Sequence, residues 1–133
     1  MFIGVGGSGH AHLFDTSGER KRAPSPMEML LSAIGACTAA DVVSILAKKR
    51  QRVTAYRVEV KGERREEFPR RYQAIHVHHI VTGHGVSQSA VASAVELSDQ
   101  KYCSVAASLR PTVRISTSFE IIEEADHART GDA

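Results

Sequence analysis

Hydrophobic and polar positions divide the chain into a few elements, of which the longest is a helix predicted from Ser25 to Arg50. Ser25 can cap this helix, Pro26 suits its first turn, and Glu28 completes an S-x-x-E capping box. Basic residues gather at the other end, where they complement the helix dipole. Between the ends, apolar side chains cover most of the circumference. This pattern predicts a helix that is buried in a core or in a subunit interface.

Alternating segments on both sides of the helix predict β-strands. Residues 2–5 and 10–14 flank a glycine cluster and predict a short hairpin, whereas residues 53–63 and 72–82 predict a longer antiparallel pair. The apolar face of the strand over residues 72–82 carries Ile75, Val77, His79 and Val81. Residues 112–122 alternate in the same way, and they predict the last strand.

A second helix is predicted after residue 86, with Ser87 or Ser89 as its cap and Pro111 beyond its end. Its helical spacing wavers at residues 97–100, which allows a break that would put Cys103 at the head of a shorter helix. The element order is β-β-α-β-β-α-β. It predicts an α+β fold in which a mostly antiparallel sheet packs on two long central helices. We expect one domain over residues 1–122 and a loose polar tail over residues 123–133.

Composition narrows the class of protein. With 133 residues, of which 42% are hydrophobic, the chain suits one globular domain. Its 17 basic and 15 acidic residues give a charge of only +2, so nucleic acid is not an expected partner. Glu28 and Asp41 interrupt the apolar helix, which argues against a membrane span. No signal-peptide pattern is recognisable, and a cytoplasmic location is expected.

Cys37 and Cys103 are the two cysteines. In a cytoplasmic chain they indicate buried thiols or a redox pair rather than a structural disulfide. A redox pair needs two thiols that are close in space, one of them with a lowered pKa. Cys103 would gain from a helix N-terminus and from nearby Lys101, whereas Cys37 lies in mid-helix. Asp41 follows Cys37 by one helical turn, and its carboxylate would raise the thiol pKa unless a cation neutralises it.

Four segments carry a resemblance to a known family: P-S-P-M-E-M-L-L-S-A-I-G-A-C, E-R-R-E-E-F-P-R, I-V-T-G and K-Y-C-S-V-A. In this order, from about Ala23 to Ile122, the chain resembles the OsmC/Ohr family of organic hydroperoxide reductases, and more closely its YhfA-like branch. The resemblance implies an intertwined homodimer with a thiol site at each end of the subunit interface and with no metal or organic cofactor. It also implies that Cys37 attacks an organic hydroperoxide, that Cys103 resolves the sulfenic acid as a disulfide, and that an outside dithiol reduces the pair.

The sequence departs from this family at the start of the long helix. In the peroxidase branches a glutamate follows the proline directly and orients an arginine that activates the reactive thiol. Met27 takes that place here, and Glu28 falls one residue later, on about the opposite side of the helix from Cys37. Capping is therefore the role expected of Glu28. Arg20 and Arg22 are the remaining candidates for the arginine, and without one, fast peroxide reduction is expected to be lost.

Two other functions stay open at the level of sequence. The pairs His10/His12 and His76/His78 each have the H-x-H spacing, and together they could supply four ligands to zinc or copper. A solvent-facing position is the simpler interpretation of the second pair. Alternatively, a dimer that retains the fold without peroxidase activity could bind a small apolar ligand at its interface, with the cysteines lining the pocket.

Overall fold

The computed structural model describes residues 1–19 and 21–125. Along the chain the elements are β1 (Phe2–Val5), β2 (Ala11–Phe14), α1 (Pro26–Lys48), β3 (Arg52–Arg64), β4 (Tyr72–His84), α2 (Gln88–Leu97), a π-helical turn (Ser98–Tyr102), α3 (Ser104–Leu109) and β5 (Arg114–Glu123). This is the predicted β-β-α-β-β-α-β order. The second helical segment is divided between α2 and α3, with the break immediately before Cys103.

Helix α1 begins with the capping box that the sequence predicts. The Ser25 hydroxyl accepts the Glu28 N–H at 3.2 Å, and the Glu28 carboxylate accepts the Ser25 N–H at 3.4 Å. Glu28 also forms an ion pair with Lys21 at 3.1 Å. These bonds, chiefly the one from Lys21, hold the pKa of Glu28 below its ordinary value. The carboxylate is therefore committed to the helix start.

The sheet that carries α1 has three strands in the order β3-β4-β5. Strands β3 and β4 are antiparallel, whereas β5 runs parallel to β4. Strands β1 and β2 form a separate antiparallel hairpin. The predicted apolar face of β4 is confirmed, since its members are at most 2% exposed: Ile75, Val77, His79 and Val81. The helices cover this face, and two apolar clusters fill the space between the layers.

Burial of α1 is one-sided in the single chain. Ile34, Val42 and Leu46 are at most 1% exposed. The opposite face is exposed and consists of small and apolar residues: Ala33, Ala36, Ala40 and Val43. The prediction of all-round burial is therefore not met within one chain, because the sheet and the other helices cover only part of the circumference.

The membrane argument made from composition also needs correction. By length and composition, α1 is apolar enough to cross a membrane, with a mean hydropathy of 1.9. Core helices of soluble proteins meet the same criterion. The contacts of α1 indicate a core helix, because one face packs against Val58 and Val60 of β3 and against the helices that follow.

Strand boundaries differ from the sequence expectations by one or two residues. Strand β4 reaches His84, and β5 runs from Arg114 to Glu123 rather than from 112 to 122. Strand β5 therefore includes Glu123, the first residue of the predicted polar tail. The rest of that tail from residue 126 onward, and Arg20, lie outside the described residues. The extent of the single domain stays a prediction.

Candidate active site

Cys103 lies at the N-terminus of α3, as the wavering helical period allowed. Its sulfur accepts the Ala106 N–H at 3.4 Å and thereby caps the helix. This bond favours the thiolate, but the side chain is only 4% exposed. Burial, and to a smaller extent the neighbouring Cys37 side chain, raise the pKa of the Cys103 thiol to about 11. Near neutral pH, Cys103 is therefore a protonated thiol.

Cys37 lies on α1 beside this thiol. It is half-buried, and it packs against the apolar cluster that contains Cys103, Ile34 and Ala106. The interaction of the two side chains is also apparent in the effect of Cys37 on the pKa of Cys103. Ala36 and Ala40, on the exposed face of α1, flank Cys37. The fold thus brings together the two predicted site residues, one enclosed and one partly open to solvent.

The space around Cys103 is small. A cavity of about 10 Å³ adjoins its side chain and is also lined by Thr38, Val77 and Asp99. Such a volume holds about one water molecule at most. An organic molecule therefore does not fit into this cavity beside Cys103, whereas Cys37 is partly open to solvent.

A buried polar network joins the two segments that carry the cysteines. Thr38, next to Cys37, bonds through its hydroxyl to the Ser98 hydroxyl at 2.8 Å, and Ser98 donates to the Asp41 carboxylate at 2.9 Å. The Ser98 carbonyl in turn accepts the Cys103 N–H at 2.8 Å. Asp41, expected from the sequence to perturb Cys37, instead has one carboxylate oxygen engaged by Ser98. The network fixes the π-helical turn against α1.

We expect Ser98→Ala to lower the free energy of unfolding by about 1–3 kcal/mol, because it leaves the buried Thr38 hydroxyl and the Asp41 carboxylate without a partner. Urea denaturation followed by far-UV circular dichroism measures the change, because the chain has no tryptophan for fluorescence detection. Ser104→Ala is the matched control, since Ser104 is exposed on the neighbouring helix. Equal stability of the two variants would contradict a structural role for the network.

A charged pair that the sequence did not indicate, Asp99 and Arg110, lies on either side of the segment that carries Cys103. The Arg110 guanidinium donates to the Asp99 carboxylate at 2.6 Å and to the Asp99 carbonyl at 2.7 Å. Asp99 lines the small cavity beside Cys103, whereas Arg110 does not. The only sequence signal would have been two opposite charges on either side of a short helix. That signal is too common to single out the pair.

The activating groups of the peroxidase branches have no equivalent in the described ranges. Glu28 is held by Ser25 and Lys21, which confirms its capping role. Arg22 contributes its backbone N–H to Asp15, at 3.0 Å, and its side chain is exposed. The ammonium group of Lys101 lies over the Tyr102 ring, 5.3 Å from its centroid.

The histidines do not assemble into a metal site. No group of three or more His, Cys, Asp or Glu side chains within residues 1–19 and 21–125 is arranged to hold a metal ion. The ring nitrogens of His76 bond to Ser116 and Ser118, and those of His78 bond to Ser118 and Glu120. The strand pairing of β4 with β5 thus occupies the nitrogens that ligation would need.

The other histidine pair lies on a different hairpin. His10 bonds to Ser8 near the turn, and His12 is exposed on β2, in the two-stranded sheet. The two pairs that could have supplied four ligands therefore lie in two separate sheets, and the described residues do not bring them together as one site.

Comparison with known proteins assigns these features to a family. A family model described as OsmC-like protein matches residues 17–118. The chain belongs to the OsmC family. It is 52% identical over 122 residues to protein YhfA of Escherichia coli K12, a match that covers 91% of this chain and 90% of YhfA. The resemblance read from the four motifs, including the YhfA-like branch, is thereby confirmed.

Solved structures confirm the OsmC fold. A hypothetical protein from Aquifex aeolicus VF5 is similar with a TM-score of 0.76 and 34% identity, over 93% of this chain and 96% of that one. A Legionella pneumophila protein, described as an organic hydroperoxide resistance protein OsmC and predicted redox protein, has a TM-score of 0.66 at 13% identity. Its match covers 90% of this chain and 93% of that one. The second likeness is one of fold alone.

Proposed function

We propose that this OsmC family protein is a redox enzyme that reduces organic hydroperoxides with the thiols of Cys37 and Cys103. The observation that carries the proposal is the half-buried Cys37 beside the buried Cys103, in a family that includes hydroperoxide resistance proteins. Cys37 is the nucleophile because it is the thiol that a substrate can reach. Cys103 is the resolving thiol because burial keeps it protonated until a sulfenic acid forms beside it.

The chemical cycle has three balanced steps. The Cys37 thiolate attacks the O–O bond, giving the sulfenic acid and, after uptake of a proton, the alcohol; sulfur is oxidised and the peroxide is reduced. The Cys103 thiol then condenses with the sulfenic acid, forming the disulfide and releasing water. Finally a dithiol from outside the chain reduces the disulfide and is itself oxidised. No metal or organic cofactor takes part in any of these steps.

The proposed assembly is a homodimer in the cytoplasm. The exposed face of α1, with Ala33, Ala36, Ala40 and Val43, supports this assembly because small residues permit close approach of a second helix. The terminal hairpin also exposes large apolar side chains, with Phe2, Ile3 and Val5 between 64% and 69% exposed. A second subunit over α1 would contact Ala36 and Ala40, which flank Cys37, so the thiol would lie at the edge of the proposed interface and stay within reach of a substrate.

Thiol mapping tests the proposal directly. Reduced protein is labelled with an alkylating reagent before and after one equivalent of cumene hydroperoxide, and the products are mapped by mass spectrometry. We expect both thiols to be lost and a Cys37–Cys103 disulfide to form within the chain. If both thiols stay reduced, the alternative is favoured, namely a binding protein that retains the OsmC fold without peroxidase activity. The observation that favours this alternative is the capping role of Glu28, because a carboxylate engaged at the helix start does not orient an activating arginine.

A further inference from the structure

A larger pocket lies away from the cysteines, at the N-terminal end of α1. It has a volume of about 450 Å³ and is enclosed by the start of α1, the end of α3 and the connection between β3 and β4. Its floor is apolar and consists of Met27, Leu30, Leu109 and Val113. Pockets of about 300–1,000 Å³ with such linings are typical of small-molecule sites. Neither cysteine lines this pocket.

Three arginines, Arg64, Arg70 and Arg71, form the rim of the pocket. Hydrogen bonds to backbone carbonyls hold their side chains. Arg64 donates to the Arg70 carbonyl at 2.8 Å, Arg70 to the Arg65 carbonyl at 3.3 Å, and Arg71 to the Tyr72 carbonyl at 3.2 Å. The positive charges are thus positioned by the turn itself.

Carboxylates do not neutralise this rim. Within the described part of the chain, none of the three guanidinium groups has a carboxylate oxygen within 4.0 Å, although Arg57, Lys21 and Arg110 each do. Each rim arginine uses only part of its five-donor fork on the backbone. Guanidinium groups with free donors match carboxylate or phosphate oxygens in geometry and charge.

We propose that this pocket binds an amphipathic carboxylate of the medium-chain fatty acid class. The aliphatic chain lies on the floor formed by Met27, Leu30, Leu109 and Val113, and the carboxylate bonds to Arg64 and Arg70. The floor supplies the apolar contact that a short acid such as acetate cannot use, and the rim supplies the charge that a neutral alcohol cannot use. The proposal is independent of thiol chemistry, because no bond to either cysteine is involved.

Isothermal titration with decanoate, below its aggregation concentration, tests the site on the intact wild-type protein. We expect one saturable site per chain, and binding at least about tenfold weaker for 1-decanol and for acetate. An absence of saturable binding would overturn the proposal, and so would equal binding of decanoate and decanol. A subunit that covers the pocket in solution would give the first of these two results.

The double variant Arg64→Gln/Arg70→Gln is expected to weaken decanoate binding about tenfold or more. Arg65→Gln is the matched control, because Arg65 lies in the same turn and donates to the Pro69 carbonyl at 2.7 Å but does not line the pocket. Thermal unfolding of each variant checks that the turn stays folded. Equal loss of affinity in the double variant and in Arg65→Gln would show a general charge effect and overturn the assignment.

Discussion

Replacing Cys37 by serine is expected to reduce hydroperoxide turnover by at least about a thousandfold, the scale of loss that follows removal of an enzyme nucleophile. A serine hydroxyl stays protonated near neutral pH, and nothing in the described surroundings would activate it. Cys103 cannot substitute for Cys37, because its thiol has a pKa of about 11 and its cavity of about 10 Å³ is too small for an organic peroxide. Peroxide consumption with excess dithiothreitol measures the effect.

Cys103→Ser is the matched control for this prediction. It retains the nucleophile and removes only the resolving thiol, so in the absence of dithiothreitol we expect one equivalent of hydroperoxide to be consumed per chain. The product is Cys37 with one added oxygen atom, detectable by intact mass and by a dimedone adduct. Full turnover in Cys37→Ser would refute the assignment of the nucleophile. Single turnover in Cys37→Ser, with none in Cys103→Ser, would exchange the two roles.

The rate of hydroperoxide reduction by the wild-type protein depends on how the Cys37 thiol is activated. The family resemblance implies that, in the peroxidase branches, an arginine oriented by a glutamate activates the thiol, and Met27 takes the place of that glutamate here. Glu28 is bound to Ser25 and Lys21 here, and the guanidinium group of Arg110, which follows the short helix α3, is paired with Asp99. The chemistry proposed for Cys37 therefore relies on a group beyond the described residues, such as Arg20 or one from a second subunit, or on a slower thiolate reaction.

Local patterns in the sequence were enough to predict the elements. Ser25 and Glu28 define the start of α1 because a capping box involves only residues three positions apart. The alternation through Ile75, Val77 and His79 gives the buried face of β4 because strand side chains repeat every two residues. The pause at residues 97–100 indicated the break before Cys103. In each case the residues that determine the local structure lie close together in the sequence.

Contacts between distant residues could not be predicted in this way. The Thr38–Ser98 and Ser98–Asp41 bonds join residues 60 and 57 positions apart. No periodic pattern contains information on such a pair, so Asp41 was assigned an effect on Cys37 rather than a bond to Ser98. The hypothesis that the two histidine pairs form one metal site failed for a related reason. Their spacing within each strand was correct, but only the sheet topology decides which strands are neighbours.

Between pH 6.5 and 4, the stability of the protein is expected to fall because of His79. This side chain is fully buried, and burial lowers its pKa to about 4, with the charge of His78 acting in the same direction. In the unfolded chain the imidazole has its ordinary pKa of about 6.5. Across this window the unfolded state therefore binds a proton that the native state rejects. The contribution of His79 to the free energy of unfolding is fully present above pH 6.5. It declines as the pH falls, by up to about 3 kcal/mol.

The surroundings of His79 explain why the native state rejects the proton. One ring nitrogen bonds to the Tyr56 hydroxyl at 2.7 Å, and the other has no hydrogen-bond partner among the described residues. A protonated ring would place a buried charge there with one donor unsatisfied. Asp99 offsets this cost only in part. The carboxyls of Asp15 and Glu28, whose pKa values are lowered, lose their stabilising effect only as the pH falls below their ordinary values near 4.

Urea denaturation of wild-type protein and His79→Gln at pH 7.0, 5.5 and 4.5 isolates the contribution of His79. Glutamine can still bond to Tyr56 but does not titrate, so its free energy of unfolding should fall less between pH 7.0 and 4.5, by about 2–3 kcal/mol. His12→Gln, at an exposed position on β2, should keep the wild-type pH dependence. Parallel pH profiles for wild-type protein and His79→Gln would mean that the native state accommodates a charged imidazole. Since the backbone around His79 belongs to the central strand of the sheet, such accommodation would require water to enter between β4 and the helices.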